Sequence, residues 1–106
     1  MSVIVTLRFA GEPSKLEEYA AANEEHLKGI VEAAKGHGLI AHRFYGSDDD
    51  KILVADEWPD PESFQAFFAE QRSQIEPVMQ AAGVTAEPEV TFWRRLETQD
   101  EYGWGA

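Results

Sequence analysis

DEWPDPESFQAFF, Asp56 to Phe68, is where a strand ends and an aromatic-faced helix begins. Upstream of Pro59, Ile52, Val54, Asp56 and Trp58 alternate with Leu53, Ala55 and Glu57, the two-residue period of a strand. Pro59 stops that strand. Asp60 is a good N-cap, Pro61 suits the first helical position, and Phe64, Phe67 and Phe68 follow at helical spacing. An acidic residue and a Trp at a strand end, facing an aromatic helix, would wall a pocket for a flat organic ligand. The expectation is small-molecule chemistry.

Working outward, Leu39–Tyr45 reads as the strand before Lys51–Trp58, with a polar hairpin loop over residues 46–50. Val3, Val5, Leu7 and Phe9 share one face of a first strand, and Ile4, Thr6 and Arg8 share the other. After a turn at residues 11–14, the apolar stripe Leu16, Tyr19, Ala20, Leu27, Ile30, Val31 and Ala34 predicts one long helix, ended by Gly36-His37-Gly38. Downstream, a second helix is predicted over about residues 62–74. A short helical piece at Pro77–Ala82 and a last strand at Glu89–Leu96 follow.

The order β-α-β-β-α-β is the split βαβ arrangement. The predicted fold is α+β and ferredoxin-like, one antiparallel sheet with its helices on one face. Residues 1–96 form one domain in this reading, and residues 97–106 a C-terminal tail carrying Tyr102 and Trp104. Large apolar groups occupy both faces of the strands: Ile40 and Phe44 oppose Leu39 and Tyr45, while Val90 and Phe92 oppose Trp93. A sheet apolar on both sides is covered on both sides. With no further chain to do so, the second cover is expected to be another copy, giving a homodimer.

The chain has 106 residues, no cysteine and a formal charge of −11. One domain of this length buries roughly two-thirds of its unfolded surface. Without cysteine there are neither disulfides nor thiolate metal sites, and a reducing, cytoplasmic setting is expected. The charge argues against nucleic acid and anionic membranes, which both need clustered Lys and Arg. No run approaches the ~20 apolar residues of a membrane span, and the N-terminal run alternates like a strand rather than a signal peptide.

Two constellations of polar residues attract chemical interest. On helical geometry, Asn23 falls about 20° from Leu16 and about 40° from Leu27, and Gln71 about 20° from Phe64. Both carboxamides would then interrupt apolar stripes, where an unpartnered amide costs ~1–3 kcal/mol. Each would either bond backbone or water, or point into a cavity and orient a ligand oxygen. The second constellation is His42 and Asp56. Paired residue numbers across an antiparallel hairpin have a constant sum; matching the apolar faces requires an even one, such as 96 or 98. A sum of 98 sets His42 opposite Asp56, and 96 leaves them diagonal. A carboxylate beside an imidazole fixes its tautomer and makes a possible general base, although a structural pair or a dimer-seam contact would look the same. Tyr19, Trp58, Phe64, Phe67 and Trp93 are the aromatic candidates for a ligand wall, with core packing the alternative. His26 and His37 read as surface or packing residues, and Asp48-Asp49-Asp50 as a solvated hairpin tip. There is no phosphate loop, no Ser or Cys nucleophile motif and no metal-ligand spacing, so no cofactor is expected.

With these residues in view, the chain resembles the dimeric α+β-barrel superfamily, in particular antibiotic-biosynthesis-monooxygenase-like (ABM) proteins. The resemblance runs from Val3 to about Leu96. It rests on the element order and on the runs HRFYGSDD (residues 42–49), VADEWPDPESFQAFF (54–68) and PEVTFWR (88–94). It implies the fold and dimerisation. Members include oxygenases of polycyclic phenols or quinols that use neither metal nor flavin, haem-degrading enzymes, and proteins without a known reaction. Family members often carry a His on the second helix about nine residues after the Trp, where this chain has Phe67. The haem-degrading branch uses that helix His and an Asn on the first strand, and this chain has neither. The resemblance therefore implies a small aromatic ligand. If the chain is catalytic, His42, Asp56 and Asn23 would serve a cofactor-independent monooxygenation. The alternatives are a ligand-binding or sensing dimer, and a protein-interaction module.

Overall fold

The computed structural model describes residues 1–104; residues 105–106, the end of the expected tail, lie outside the described residues. The elements run β1 (Val3–Ala10), α1 (Pro13–Ala22), α2 (Glu24–Gly36), β2 (Ala41–Gly46), β3 (Lys51–Trp58), α3 (Pro61–Ala81) and β4 (Glu89–Trp93). The four strands form one antiparallel sheet in the order β2-β3-β1-β4. This is the α+β, ferredoxin-like arrangement expected from the element order.

Register follows the alternation. Val5, Leu7 and Phe9 of β1 and Ile52, Val54, Asp56 and Trp58 of β3 are buried on one face, under Leu16, Ala34, Phe64, Phe67 and Val78 of the helices. Trp58 is fully buried, with Phe67 at 5.4 Å and Phe64 at 5.9 Å between ring centroids. Burying a large apolar side chain is worth about 1.5–3 kcal/mol, so this aromatic group anchors α3 to the sheet. Ile4, Thr6 and Arg8 line the opposite, outer face, paired with Trp93, Thr91 and Glu89 of β4.

Four boundaries differ from expectation. The single long first helix is two helices, interrupted at Asn23 with φ −133° and ψ 44°. The Asn23 N–H donates to the Tyr19 carbonyl, and its Nδ2 donates to the same oxygen at 3.0 Å. An Asn side chain competes in this way for backbone groups and so breaks helices that apolar spacing alone would continue. Conversely, the break expected between residues 74 and 77 is absent. α3 runs through Pro77, which offers no N–H to the preceding turn. In that turn the Gln74 carbonyl accepts from His26 Nε2 at 2.8 Å. This tertiary bond ties α2 to the turn before Pro77, and it gives His26 its packing role. The edge strands are also displaced: β2 begins two residues later than expected, and β4 stops at Trp93 rather than Leu96.

The α3 entry matches its sequence signature. Asp60 Oδ1 accepts from the Ser63 N–H at 2.7 Å, with Pro61 at the first helical position. That backbone hydrogen bond holds the Asp60 carboxyl below its usual range. A lowered carboxyl contributes stability that is present above the ordinary carboxylate pKa and lost as pH falls through the folded value. Asp60→Ala is therefore expected to melt a few degrees below wild type at neutral pH, with the gap closing as the scan is repeated below the ordinary carboxylate pKa. A gap independent of pH would mean the cap does not act through its charge.

Candidate functional site

A cavity of about 580 Å³ lies between the helix-covered sheet face, α2, α3 and the segment leading into β4. Its walls are chiefly apolar: Leu27 and Ile30 of α2, Phe44 and Val54 of the sheet, Phe64 and Phe67 of α3. Sites that enclose small ligands commonly span ~300–1,000 Å³ with few, placed polar groups.

The polar groups on the sheet wall are His42 and Asp56. They sit directly opposite each other in the β2–β3 register, which is the sum of 98. His42 Nδ1 and Asp56 Oδ1 are 2.7 Å apart. The carboxylate is otherwise buried, and its second oxygen accepts from Trp58 Nε1 at 3.2 Å. An ionised carboxylate only accepts, so the ring hydrogen at His42 must be on Nδ1. That leaves Nε2 as the free nitrogen, with no hydrogen-bond partner among the described residues. The ring also meets Phe44 edge-on at 5.0 Å. A hydrogen-bonded, oriented imidazole with one open nitrogen on a cavity wall can take a proton from a ligand hydroxyl or an activated C–H.

The other candidates divide clearly. Phe64 and Phe67 line the cavity. Trp58 lies behind them in the core, where it positions Asp56 instead of walling the cavity. Tyr19, Asn23 and Gln71 are not at the cavity wall, contrary to the expectation of a carboxamide reaching a ligand. Asn23 is spent on the Tyr19 carbonyl at the α1–α2 break, and Tyr19 packs edge-on against His26 at 6.3 Å. Both carboxamide placements assumed continuous helices with a central apolar stripe, which the break at Asn23 removes on the first helix. Trp93 is on the wrong side of the sheet. It pairs with Ile4, is 53% exposed, and its Nε1 donates to Thr6 Oγ1 at 2.8 Å. Its parity on β4 puts it there, opposite in sense to Phe92, whose ring is 5.9 Å from Phe64.

Sequence reasoning put Phe68 on the aromatic helix without choosing it for the ligand wall, and it missed Arg72, Met79 and Glu87; all four reach the cavity. The Phe68–Arg72 pair had a signal, the i, i+4 spacing of an aromatic and a cation on one helix face. The remaining two depend on α3 continuing through Pro77 and on how the following segment returns to the sheet. Of the other histidines, His37 reaches Glu70 of α3 through Nε2. The acidic hairpin tip is exposed, with Ser47 Oγ donating to Asp49.

No protein-family model matches the chain, and no curated protein matches it either. Solved structures do. A dimeric ferredoxin-like protein from an uncultured marine organism superposes with a TM-score of 0.63 at 13% identity, covering 95% of this chain and 93% of that one. An antibiotic biosynthesis monooxygenase gives 0.61 at 14% identity over 92% and 100%. SnoaB, a cofactor-independent oxygenase from Streptomyces nogalater, gives 0.60 at 17% identity over 94% and 98%. At these identities the likeness is one of fold: the chain has the ferredoxin-like fold of ABM-like proteins.

Proposed function

We propose that this chain binds a small, flat, largely apolar molecule in the cavity and, with His42 as general base, carries out cofactor-independent monooxygenation of a phenol, quinol or polyketide-like substrate. The observation that carries the reading is the His42–Asp56 bond, which leaves Nε2 open on the wall of an aromatic-lined cavity. Fold-mates that are monooxygenases, one of them cofactor-independent, support the reaction class.

For a substrate whose reactive carbon carries two hydrogens, His42 Nε2 removes one of them to give a delocalised carbanion. The carbanion reduces dioxygen and joins it, and a returning proton yields a C–OOH group. Loss of water from that group leaves a ketone, so one oxygen atom enters the product and the other leaves as water. Asp56 stabilises the imidazolium formed in the first step, and the Trp58 N–H keeps that carboxylate oriented. The test is oxygen uptake and product mass with anthrone as substrate, in metal-free buffer. Uptake stoichiometric with anthrone and dependent on His42 supports catalysis. Anthrone bound without any enhanced uptake would leave a ligand-binding protein.

The same reading places the protein in the cytoplasm as a homodimer joined through outer sheet faces. Ile4, Tyr45 and Trp93 are exposed there. Arg8, Arg43 and Lys51 offset Glu57 and Glu89 on that face, while the chain as a whole carries −11. Two copies can thus meet there without the repulsion that their acidic helices would bring. Trp93→Glu is expected to convert a dimer to a monomer in light scattering, with little change in melting. A wild type that is monomeric at tens of micromolar would refute the pairing.

A further inference from the structure

Far along α3 from its entry, the cavity rim carries an arrangement that the general-base reading does not use. Arg72 of α3 is the only Lys or Arg at the cavity among the described residues. Its guanidinium lies 5.7 Å from the centroid of Phe68, itself a cavity residue stacked on Phe64. Arg72 Nη2 donates to both carboxylate oxygens of Glu87, at 3.2 and 3.3 Å. Glu87 also lines the cavity, from the segment before β4. The pair therefore joins two walls across the rim.

From this geometry we infer that Arg72 is the recognition group for a carboxylate on the ligand, and that Glu87 occupies it in the ligand's absence. The inference rests on the ligand site proposed above and names its class: a flat aromatic monocarboxylate. Three observations support it. The side chains of Arg72 and Glu87 are 61% and 81% exposed, so their mutual attraction is screened and easily exchanged. Only Nη2 of the guanidinium is engaged by a hydrogen bond among the described residues, leaving further donors for a second planar acceptor. The cation already sits over the ring of Phe68, so a carboxylated aromatic lying along Phe68 and Phe64 presents its acid in the plane of that cation's reach.

The acidity of the surroundings limits the ligand to one charge. Glu76, one turn beyond Arg72 on the same helix, is also at the rim, and Asp56 is on the sheet wall. A dianion such as a phosphate ester would gain a single cation against three carboxylates. A monocarboxylate takes the place of one of them.

The probes are anthraquinone-2-carboxylate and its neutral analogue 2-(hydroxymethyl)anthraquinone, titrated against tryptophan fluorescence of the full chain. Wild type is expected to prefer the carboxylate about tenfold, the scale of one charge-assisted bidentate contact near a surface. In Arg72→Gln that ratio collapses towards one. In Glu87→Gln it widens several-fold, because the resident competitor is gone. A wild-type ratio of one overturns the assignment while leaving the cavity intact as a site for neutral ligands. An unchanged ratio in Arg72→Gln, or an unchanged or narrower one in Glu87→Gln, overturns it as well. If neither compound binds wild type, the ligand-site reading fails and this inference falls with it.

Discussion

Substituting His42→Gln lowers anthrone-dependent oxygen uptake by about 10²–10⁴-fold, the usual contribution of a positioned general base. Glutamine has nearly the reach of the imidazole and can still donate an N–H to Asp56, so the β2–β3 pairing survives. What it lacks is a nitrogen able to hold a proton at neutral pH. The loss should therefore fall on kcat, with KM and ligand affinity close to wild type. Asp56→Asn provides the companion result. The amide can accept from Trp58 or from His42 Nδ1 through its one carbonyl oxygen, but it no longer balances an imidazolium, so uptake drops while Nε2 stays on the wall. Equal turnover in wild type and His42→Gln, with binding intact, would remove the base role and leave the site as a binding pocket.

This pair was legible in the sequence because a hairpin converts residue numbers into geometry. Once Ile52, Val54 and Trp58 mark the apolar face, parity places Asp56 with them and an even sum brings His42 alongside. The β3–α3 junction was legible for a similar reason: proline, N-cap and aromatic spacing each act within a few residues, and each agrees with the others. Positions governed by longer-range contacts were not. Asn23 looks like a polar intruder on one helix only if the helix is assumed continuous; its own side chain ends that helix. Pro77 looks like a terminator, yet α3 continues through it, with the next residue, Val78, buried in the core. Extending α3 past residue 74 is also what brings Met79 to the cavity. Trp93 illustrates a third limit. Its strand was found, but aromatic character alone did not say which face would meet a ligand and which would meet a second copy.

The stability of the site and of the fold meet at Phe64, and Phe64→Ala should show it. The ring is buried, stacks on Phe68 at 5.5 Å, and meets Trp58 and Phe92 edge-on, each at 5.9 Å. It therefore ties α3 to β3 and to β4, the two strands that flank β1. Truncating a buried Phe typically costs about 3–5 kcal/mol, a large part of the 5–15 kcal/mol that holds a domain folded. One side of the ring already borders the cavity, so some of the void merges with existing space, and the lower end of that range is expected. For a domain near 100 residues each kcal/mol lowers Tm by roughly 4–8 °C, so thermal melting should fall by at least about 12 °C. Phe67→Leu, which keeps much of the apolar volume beside Trp58, should cost far less. If Phe64→Ala melts within a few degrees of wild type, the aromatic layer is not what holds α3 on the sheet. The cavity would then have to be framed by the apolar contacts of α2 and β1.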